Sequence, residues 1–280
     1  VRYCWVPFTL VPGGPEDVFA AGFARERFID ADEALARVGM TLDNIPIYVG
    51  SDPSGHVAWL RGHDRGEQAL LPSLMELLSS ADHVTTLAIV AGGSFGLDAE
   101  EQFLHRKQEY YSALPLHPEI ENAVAREVTS HPAQYIALHL RYTDRSLQTP
   151  SDSAIKKALV ASADASGITS VFIAADNVDA VARWSGFARS RGLDPWSTPP
   201  PVLDRTDPRS AHGALVDWRL LGRAERVVYF SASSFATEAV CAGGSWTRSI
   251  GLGPGRGREA WLRGSVLEEA GWRRVRRRQR

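Results

Sequence analysis

The chain has 280 residues, 44% of them hydrophobic and 23% charged, with a formal net charge of −2. This is the balance of a globular protein that can bury a sizeable core, in one large domain or two ordinary ones. It excludes a global electrostatic pull toward nucleic acid, and the absence of any run of ~18 apolar residues excludes a transmembrane helix.

The opening VRYCWVPFTLVPGG lacks the basic start, apolar core and small-residue cleavage site of a secretory signal. Cys4 and Cys241 match no metal or redox spacing, so the expected compartment is the reducing cytoplasm. Basic residues other than Lys107, Lys156 and Lys157 are arginine, and Ala and Gly abound, which points to a GC-rich bacterial genome. Val1 is what a GTG start codon gives when translated literally.

Through residue 117 the candidate strands are 2–6, 46–50 and 85–91, with helices at 31–38 and 68–79, which reads as an α/β lobe. PEIENAVAREV (118–128) has proline at the helix start and acids in the first turn, where the helix dipole favours them. Pro132 then marks a boundary, giving expected domains 1–130 and 131–280. Beyond it the pattern is regular: strand 134–141, helix 151–166, strand 169–175, helix 178–191, helix 213–224, strand 226–230, and a helix opening after the small-residue loop SASS. Strands separated by helices of ten to fifteen residues predict βαβ units and a parallel sheet. GLGPGRG (251–257) lacks the strand-to-helix setting of a dinucleotide-binding motif and is expected to be a flexible loop. The tail RRVRRRQR (273–280) reads as a solvated end or a polyanion-binding arm.

Four features of the second half carry chemistry. In YIALHLRYTDRS (135–146), side-chain alternation puts Tyr135, Ala137, His139 and Arg141 on one face and Ile136, Leu138, Leu140 and Tyr142 on the other. His139 and Arg141 then sit at the carboxyl end of a strand, where open α/β sheets bind ligands. Arg141 offers a fork of donors suited to a diphosphate, or pairs with a carboxylate such as Asp144. VFIAAD (171–176) ends a second strand on Asp176, as a site acid or a turn residue. Asp217 lies in the apolar helix ALVDWRLL, where its carboxylate could accept from the N1–H and 2-amino edge of guanine or pair with Arg219 or Arg223. Ser233 and Ser234 open a helix after a strand, as an anion cradle or as simple N-caps.

The order of these features resembles the nucleotide-binding half of the GDP-fucose-dependent fucosyltransferases, the α1,6-fucosyltransferases of the nodulation and core-fucosylating types above all. The family motif HxRR-T-D is similar to His139-Leu-Arg141-Tyr142-Thr143-Asp144. Its S-x-x-G-x-x-x-D block resembles Ser210, Gly213 and Asp217 followed by Leu221 to Glu225, and its F-S-S-Q loop resembles Ala232-Ser233-Ser234-Phe235. The resemblance runs from about residue 105 to 245 and includes RKQEYYSALPLHPEIENAVAREV as the helical approach.

It implies a GT-B-like pair of Rossmann-like lobes, and an inverting transfer of a sugar, fucose from GDP-fucose or that of a related nucleotide sugar such as a GDP-deoxyhexose, to a glycan or secondary-metabolite hydroxyl, with no cofactor and no metal. Arg141 would take the β-phosphate, His139 and Asp217 the guanine and ribose, Ser233 and Ser234 the diphosphate, and Asp176 would order the pocket. The chain departs from the pattern at Tyr142 (second arginine), Phe235 (glutamine), Asn177 (second aspartate) and Thr149 (the base glutamate), with Asp152 nearby in sequence. The family's opening strand and G-x-G-N-x-L loop have no counterpart before the segment resembling RYCWVPFTLVPGGPEDVF, so a late start or a reduced first lobe is expected. The rival readings are a non-catalytic nucleotide- or sugar-binding homologue and another nucleotide-dependent α/β enzyme. Acceptor contacts are expected from the first lobe, with Trp59, Tyr110 and Tyr111 as aromatic candidates for sugar stacking or for the core.

Overall fold

The computed structural model describes residues 3–5, 13–30, 36, 50–51, 57–61, 86–90, 100–142, 150–199, 207, 210–231 and 233–253. They fall into two units, one of Val1–Val6 with Glu26–Ala99 and one of Pro7–Arg25 with Glu100–Arg280. In the first unit β1 (Tyr3–Trp5) pairs in parallel with β2 (Phe28–Asp30). A separate sheet holds β3 (Gly50–Ser51) antiparallel to β4 (Val57–Arg61), which runs parallel to β5 (Thr86–Val90). Strands form where 2–6 and 85–91 predict them; β2 and β4 are additions, and helix 68–79 lies outside the described residues, as does 31–38 apart from the helical Ala36.

The second unit contains α1 (Ala21–Arg27) up to Arg25, α2 (Glu100–Ala113), α3 (Pro118–Ser130), β6 (Ile136–Leu140), α4 (Asp152–Ser166), β7 (Ser170–Ala175), α5 (Val178–Ser190), β8 (Asp194–Trp196), α6 (Ser210–Arg223), β9 (Arg226–Phe230), α7 (Ser234–Ala242) and β10 (Ile250–Leu252). Helices α2 and α3 pack with this sheet, although they precede the chain position at which composition marks a boundary. The five strands lie in the order β10-β9-β6-β7-β8 and every pair is parallel. Counted from β6 this is the 3-2-1-4-5 order of a Rossmann-type sheet. The chain moves outward from β6 to β8 and then returns to β9 on the other side, so the order reverses between β6 and β9. A crevice opens outside the carboxyl ends of strands at such a reversal.

Both faces of the sheet are covered, which is why β6 and β7 read as continuous apolar runs rather than alternating ones. Tyr135, Ala137, Phe172, Ala174, Val227 and Tyr229 face one core with Ile120 and Val124 of α3, Leu220 and Leu221 of α6 and Val240 of α7. Ile136, Leu138, Leu140, Val171 and Ile173 face the other, against Ile155 and Leu159 of α4 and Trp184 of α5. Each large side chain so enclosed contributes about 1.5–3 kcal/mol relative to exposure. Caps set the helix ends. Ser151 accepts from Ala154 N–H at the start of α4, and Gly167 ends that helix with φ +68°, a left-handed conformation that favours glycine.

Strand β10 corrects the loop reading at its start: Gly251 and Leu252 of the glycine-rich stretch pair with Tyr229 and Phe230 of β9. A Cβ on Gly251 would lie 3.1 Å from the Tyr229 ring, so the missing side chain lets the edge strand close onto that tyrosine.

A second glycine contact is tighter. Where α6 meets α7, a Cβ on Gly243 would fall 1.7 Å from the Gly222 carbonyl oxygen, and backbone cannot move aside as a side-chain end can. Gly243→Ala is therefore expected to cost at least about 1–3 kcal/mol, the usual penalty for overpacking. Gly186, inside α5 with nothing within 4 Å of its would-be Cβ, is the control. There alanine is expected to stabilise by about 1 kcal/mol through helix propensity. Denaturant titration of both variants reads the two signs, and equal effects would refute the backbone-contact account.

Candidate functional site at the carboxyl edge

His139 is the fourth residue of β6, level with Ala174 of β7, and is buried on the side of α3, α6 and α7. Its Nδ1 is enclosed and has no hydrogen-bond partner among the described residues. Burial draws its pKa down to about 4, with the Asp176 charge opposing and the Arg141 charge assisting. The ring is thus neutral near pH 7. The Phe235 ring lies 5.6 Å from it, tilted by 31°.

At the end of β7, both oxygens of Asp176 accept from the Tyr142 backbone N–H, at 3.0 and 3.1 Å. Asp176 thereby fixes the chain as it leaves β6, and Arg141 lies between the two tethered positions, half-buried. His139, Arg141 and Asp176 are brought together as strand direction and alternation predict. Asp144 lies outside the described residues, so its pairing with Arg141 does too, and so does Thr149.

Tyr142 turns to the opposite face. Its hydroxyl accepts from Arg183 Nη2 at 2.7 Å and Trp184 Nε1 at 3.0 Å, and the Arg183 guanidinium sits 5.2 Å from its ring centroid. Arg183 also pairs with Asp152 at 3.3 Å. Asn177 caps α5, accepting from the N–H groups of Asp179 and Ala180. Three positions where the chain departs from the motif pattern, or offers an extra acid, are thus engaged in holding α4 and α5.

Across the sheet reversal, Ser233 is buried and ends the loop after β9. Its hydroxyl oxygen accepts from Ala236 N–H at 3.5 Å, so the N-cap reading holds for Ser233. Among the described residues nothing accepts the hydroxyl proton, which a ligand oxygen could take. The N–H groups of Ser234 and Phe235 belong to the first turn of α7, which helix geometry leaves without intrahelical acceptors. Ser234 itself is exposed.

Asp217 is placed differently. It is 5% exposed, and its Oδ1 accepts from the Thr198 hydroxyl at 2.5 Å. Burial pushes its pKa up to about 7, the Thr198 bond opposes the rise, and Glu127 on α3 adds to it. The pairing with Arg219 is corrected: Arg219 donates to the Tyr111 and Leu114 carbonyls and to Glu121. No hydrogen bond or ion pair among the described residues joins Asp217 to Arg223 or to His139.

Thr198 is the residue that sequence reading missed. It follows β8, whose three residues include Pro195 and carry no strand signal. Of the aromatic candidates, Tyr111 packs against the core and donates to Glu238 at 2.8 Å, Tyr110 is 48% exposed, and the Trp59 side chain lies outside the described residues. Cys241 is buried and its thiol is pushed up to about 11 by burial, which makes it unreactive.

No family model matches the sequence, and no curated protein matches it. Solved structures do. POFUT1 in complex with GDP aligns over 81% of this chain and 79% of its own, at 12% identity and a TM-score of 0.45. NodZ α-1,6-fucosyltransferase soaked with GDP-fucose aligns over 68% and 62%, at 17% identity and 0.44. Fucosyltransferase NodZ from Bradyrhizobium aligns over 68% and 62%, at 18% identity and 0.45. The chain is similar to solved fucosyltransferases. It spans less than two thirds of the NodZ chains and about four fifths of the POFUT1 chain. Among the described residues no helix is long and apolar enough to cross a membrane.

Proposed function

We propose that the protein is an inverting, metal-independent glycosyltransferase that takes fucose from GDP-fucose and passes it to a glycan or small-molecule hydroxyl. The observation that carries this reading is the buried, neutral His139 at the carboxyl end of β6, next to the β6/β9 reversal, whose Nδ1 has no hydrogen-bond partner among the described residues. The histidine stands close to the Arg141 and Asp176 charges and to α7, whose Phe235 ring lies 5.6 Å from its own. Buried polar atoms almost always have partners, and an exception at the sheet edge where such folds bind ligands points to a ligand. The fucosyltransferase motif in the sequence selects GDP-fucose as that ligand.

In this reading Arg141 binds the β-phosphate, and Ser233, Ser234 and the first N–H groups of α7 hold the diphosphate from the other side. Negative charge grows on the diphosphate as the glycosidic bond breaks, so donors aimed there lower the barrier. His139 meets the ribose or base, Asp176 positions Arg141 through Tyr142, and Asp217 recognises guanine. The non-catalytic alternative draws on Phe235, whose ring occupies the neighbourhood of His139.

Thermal-shift titration with GDP, UDP, ADP and dTDP tests the donor. GDP at 100 times its Kd is expected to add ~2.7 kcal/mol of stability, in EDTA as in Mg²⁺. A preference for UDP or dTDP would remove guanine from the reading, and no shift with any of the four would remove the nucleotide. GDP binding without any transfer or hydrolysis of GDP-fucose would leave the binding homologue.

A further inference from the structure

We propose that His117, Glu119 and His212 form a site for one divalent transition-metal ion of the Zn²⁺ class. One potential ligand atom from each lies within 4.8 Å of the others. The three come from two helix starts. His117 caps α3, Glu119 is in its first turn, and His212 is in the first turn of α6.

The hydrogen bonds favour a cation at their centre. His212 Nε2 is 2.6 Å from the Asp17 carbonyl oxygen. A carbonyl only accepts, so Nε2 carries the proton and Nδ1 faces Glu119, whose Oε2 is 3.6 Å away. That separation exceeds a hydrogen bond. His117 uses Nδ1 to accept from Glu119 N–H at 3.3 Å, a long bond that coordination can displace. The two imidazole rings lie 5.2 Å apart and tilted by 32°. Two imidazole nitrogens and a carboxylate oxygen are thus gathered within reach of one ion.

The donor set names the ion. Two histidines and one glutamate with an open fourth position are a known zinc arrangement, whereas Mg²⁺ and Ca²⁺ take oxygen ligands. Bonds of about 2.0–2.1 Å in a tetrahedron set ligand atoms roughly 3.4 Å apart, so the group must close by about 1.4 Å at most. Glu119 has the freedom to do this, since its side chain is 55% exposed, against 14% for His212. The Asp17 carbonyl on His212 Nε2–H is the outer partner that fixes the tautomer of a metal-binding histidine.

The site would tie together segments far apart in sequence. The stretch ahead of α1 already joins the strap before α3, through His117 N–H to the Val18 carbonyl and the Phe19–Leu116 bridge. The His212–Asp17 bond already brings α6 to that joint, and a bound ion would tighten it. Because α6 leads from β8 to the parallel β9, it begins on the carboxyl side of the sheet, and Asp217 follows His212 by five residues, about 7.5 Å along the helix. The ion would therefore hold the start of the helix that carries Asp217, as a clip separate from any diphosphate contact.

The test is a Co²⁺ and Zn²⁺ titration of chelator-treated full-length protein, read by visible absorption and equilibrium dialysis. One Zn²⁺ per chain is expected, with the intense visible bands of low-coordinate Co²⁺ that Zn²⁺ then bleaches. His117→Asn keeps an N-cap acceptor but removes the imidazole, and is expected to weaken binding by at least about 10–100-fold, the range that loss of an outer partner alone causes. His212→Ala should do the same, and thermal melting checks that each variant is folded. His139→Ala should leave the stoichiometry unchanged. Substoichiometric binding to wild type, or equal binding by wild type and folded His117→Asn, would overturn the proposal. The readouts are independent of nucleotide, so failure here leaves the donor reading intact, and failure of GDP binding leaves this site intact.

Discussion

Arg141→Ala is expected to lower the rate of fucosyl transfer by about 10²–10³-fold, the range for removing one donor aimed at developing negative charge. Arg141 follows β6 at the sheet reversal, and the Asp176–Tyr142 bonds hold the backbone on its far side, so the guanidinium starts from a fixed base. The effect should fall on kcat more than on stability, because the half-buried side chain contributes little core. Arg141→Lys keeps the charge but loses the planar fork that matches a diphosphate, and is expected to recover only part of the rate. Asp176→Asn provides the contrast. Its amide oxygen can still accept from Tyr142 N–H, so the loss should be smaller and shared between KM and kcat, as for a residue that acts through another. Unchanged kcat in folded Arg141→Ala would remove leaving-group stabilisation from the mechanism.

The parts of this site that were legible in the sequence are those fixed by strand direction and period. A strand buried on both faces reads as an apolar run, and once β6 is recognised, alternation alone puts His139 and Arg141 on one face and Tyr142 on the other. What the sequence withheld was set by packing between distant segments. Arg219 looked like the partner of Asp217 because it is near in sequence. Residues two apart on a helix do not face each other, however, and six apart they diverge again, so neither Arg219 nor Arg223 could meet it easily. The partner that does is Thr198, delivered by a three-residue strand. β10 was hidden for a similar reason: Gly251 interrupts the short stretch Ile250-Gly251-Leu252, and its conformation comes from pairing with β9 over Tyr229. The unpartnered Nδ1 of His139 is likewise a property of the enclosure around it. In the first unit the strands are short and separated by stretches without clear periodicity, so patterns there decide less.

Asp217→Asn is expected to stabilise the protein at pH 8 while weakening GDP binding. The folded-state pKa of about 7 lies above the ordinary value of 3.8, so between those values the native state keeps a proton that the unfolded chain has released. The contribution of this group to stability is therefore highest in acid and is lost as pH rises through about 7. His139 has the opposite sign. Its folded pKa of about 4 lies below the ordinary 6.5, so its contribution is present above 6.5 and is lost as pH falls through 4. The two slopes oppose each other from about pH 4 to 6.5, and just above that window only the Asp217 loss continues. A rise from 3.8 to about 7 is worth on the order of 4 kcal/mol at roughly 1.36 kcal/mol per pH unit. Asparagine keeps an acceptor for the Thr198 hydroxyl and removes the titration, so melting at pH 8 should rise by part of that amount. For guanine the exchange is unfavourable. N1–H and the 2-amino group need two acceptors, and an amide offers one acceptor and opposes the other donor with its own N–H. Wild-type affinity for GDP should increase as pH passes upward through about 7, since only the carboxylate accepts both bonds, and this dependence should vanish in Asp217→Asn. If the variant is stabilised yet binds GDP as before at every pH, Asp217 is a buried acid with no part in base recognition. If it is destabilised at pH 8, the charge itself is needed by the fold and burial is not what raises its pKa. If the variant is stabilised and loses GDP affinity together, Asp217 is a residue that costs stability where it stands because the ligand requires its charge.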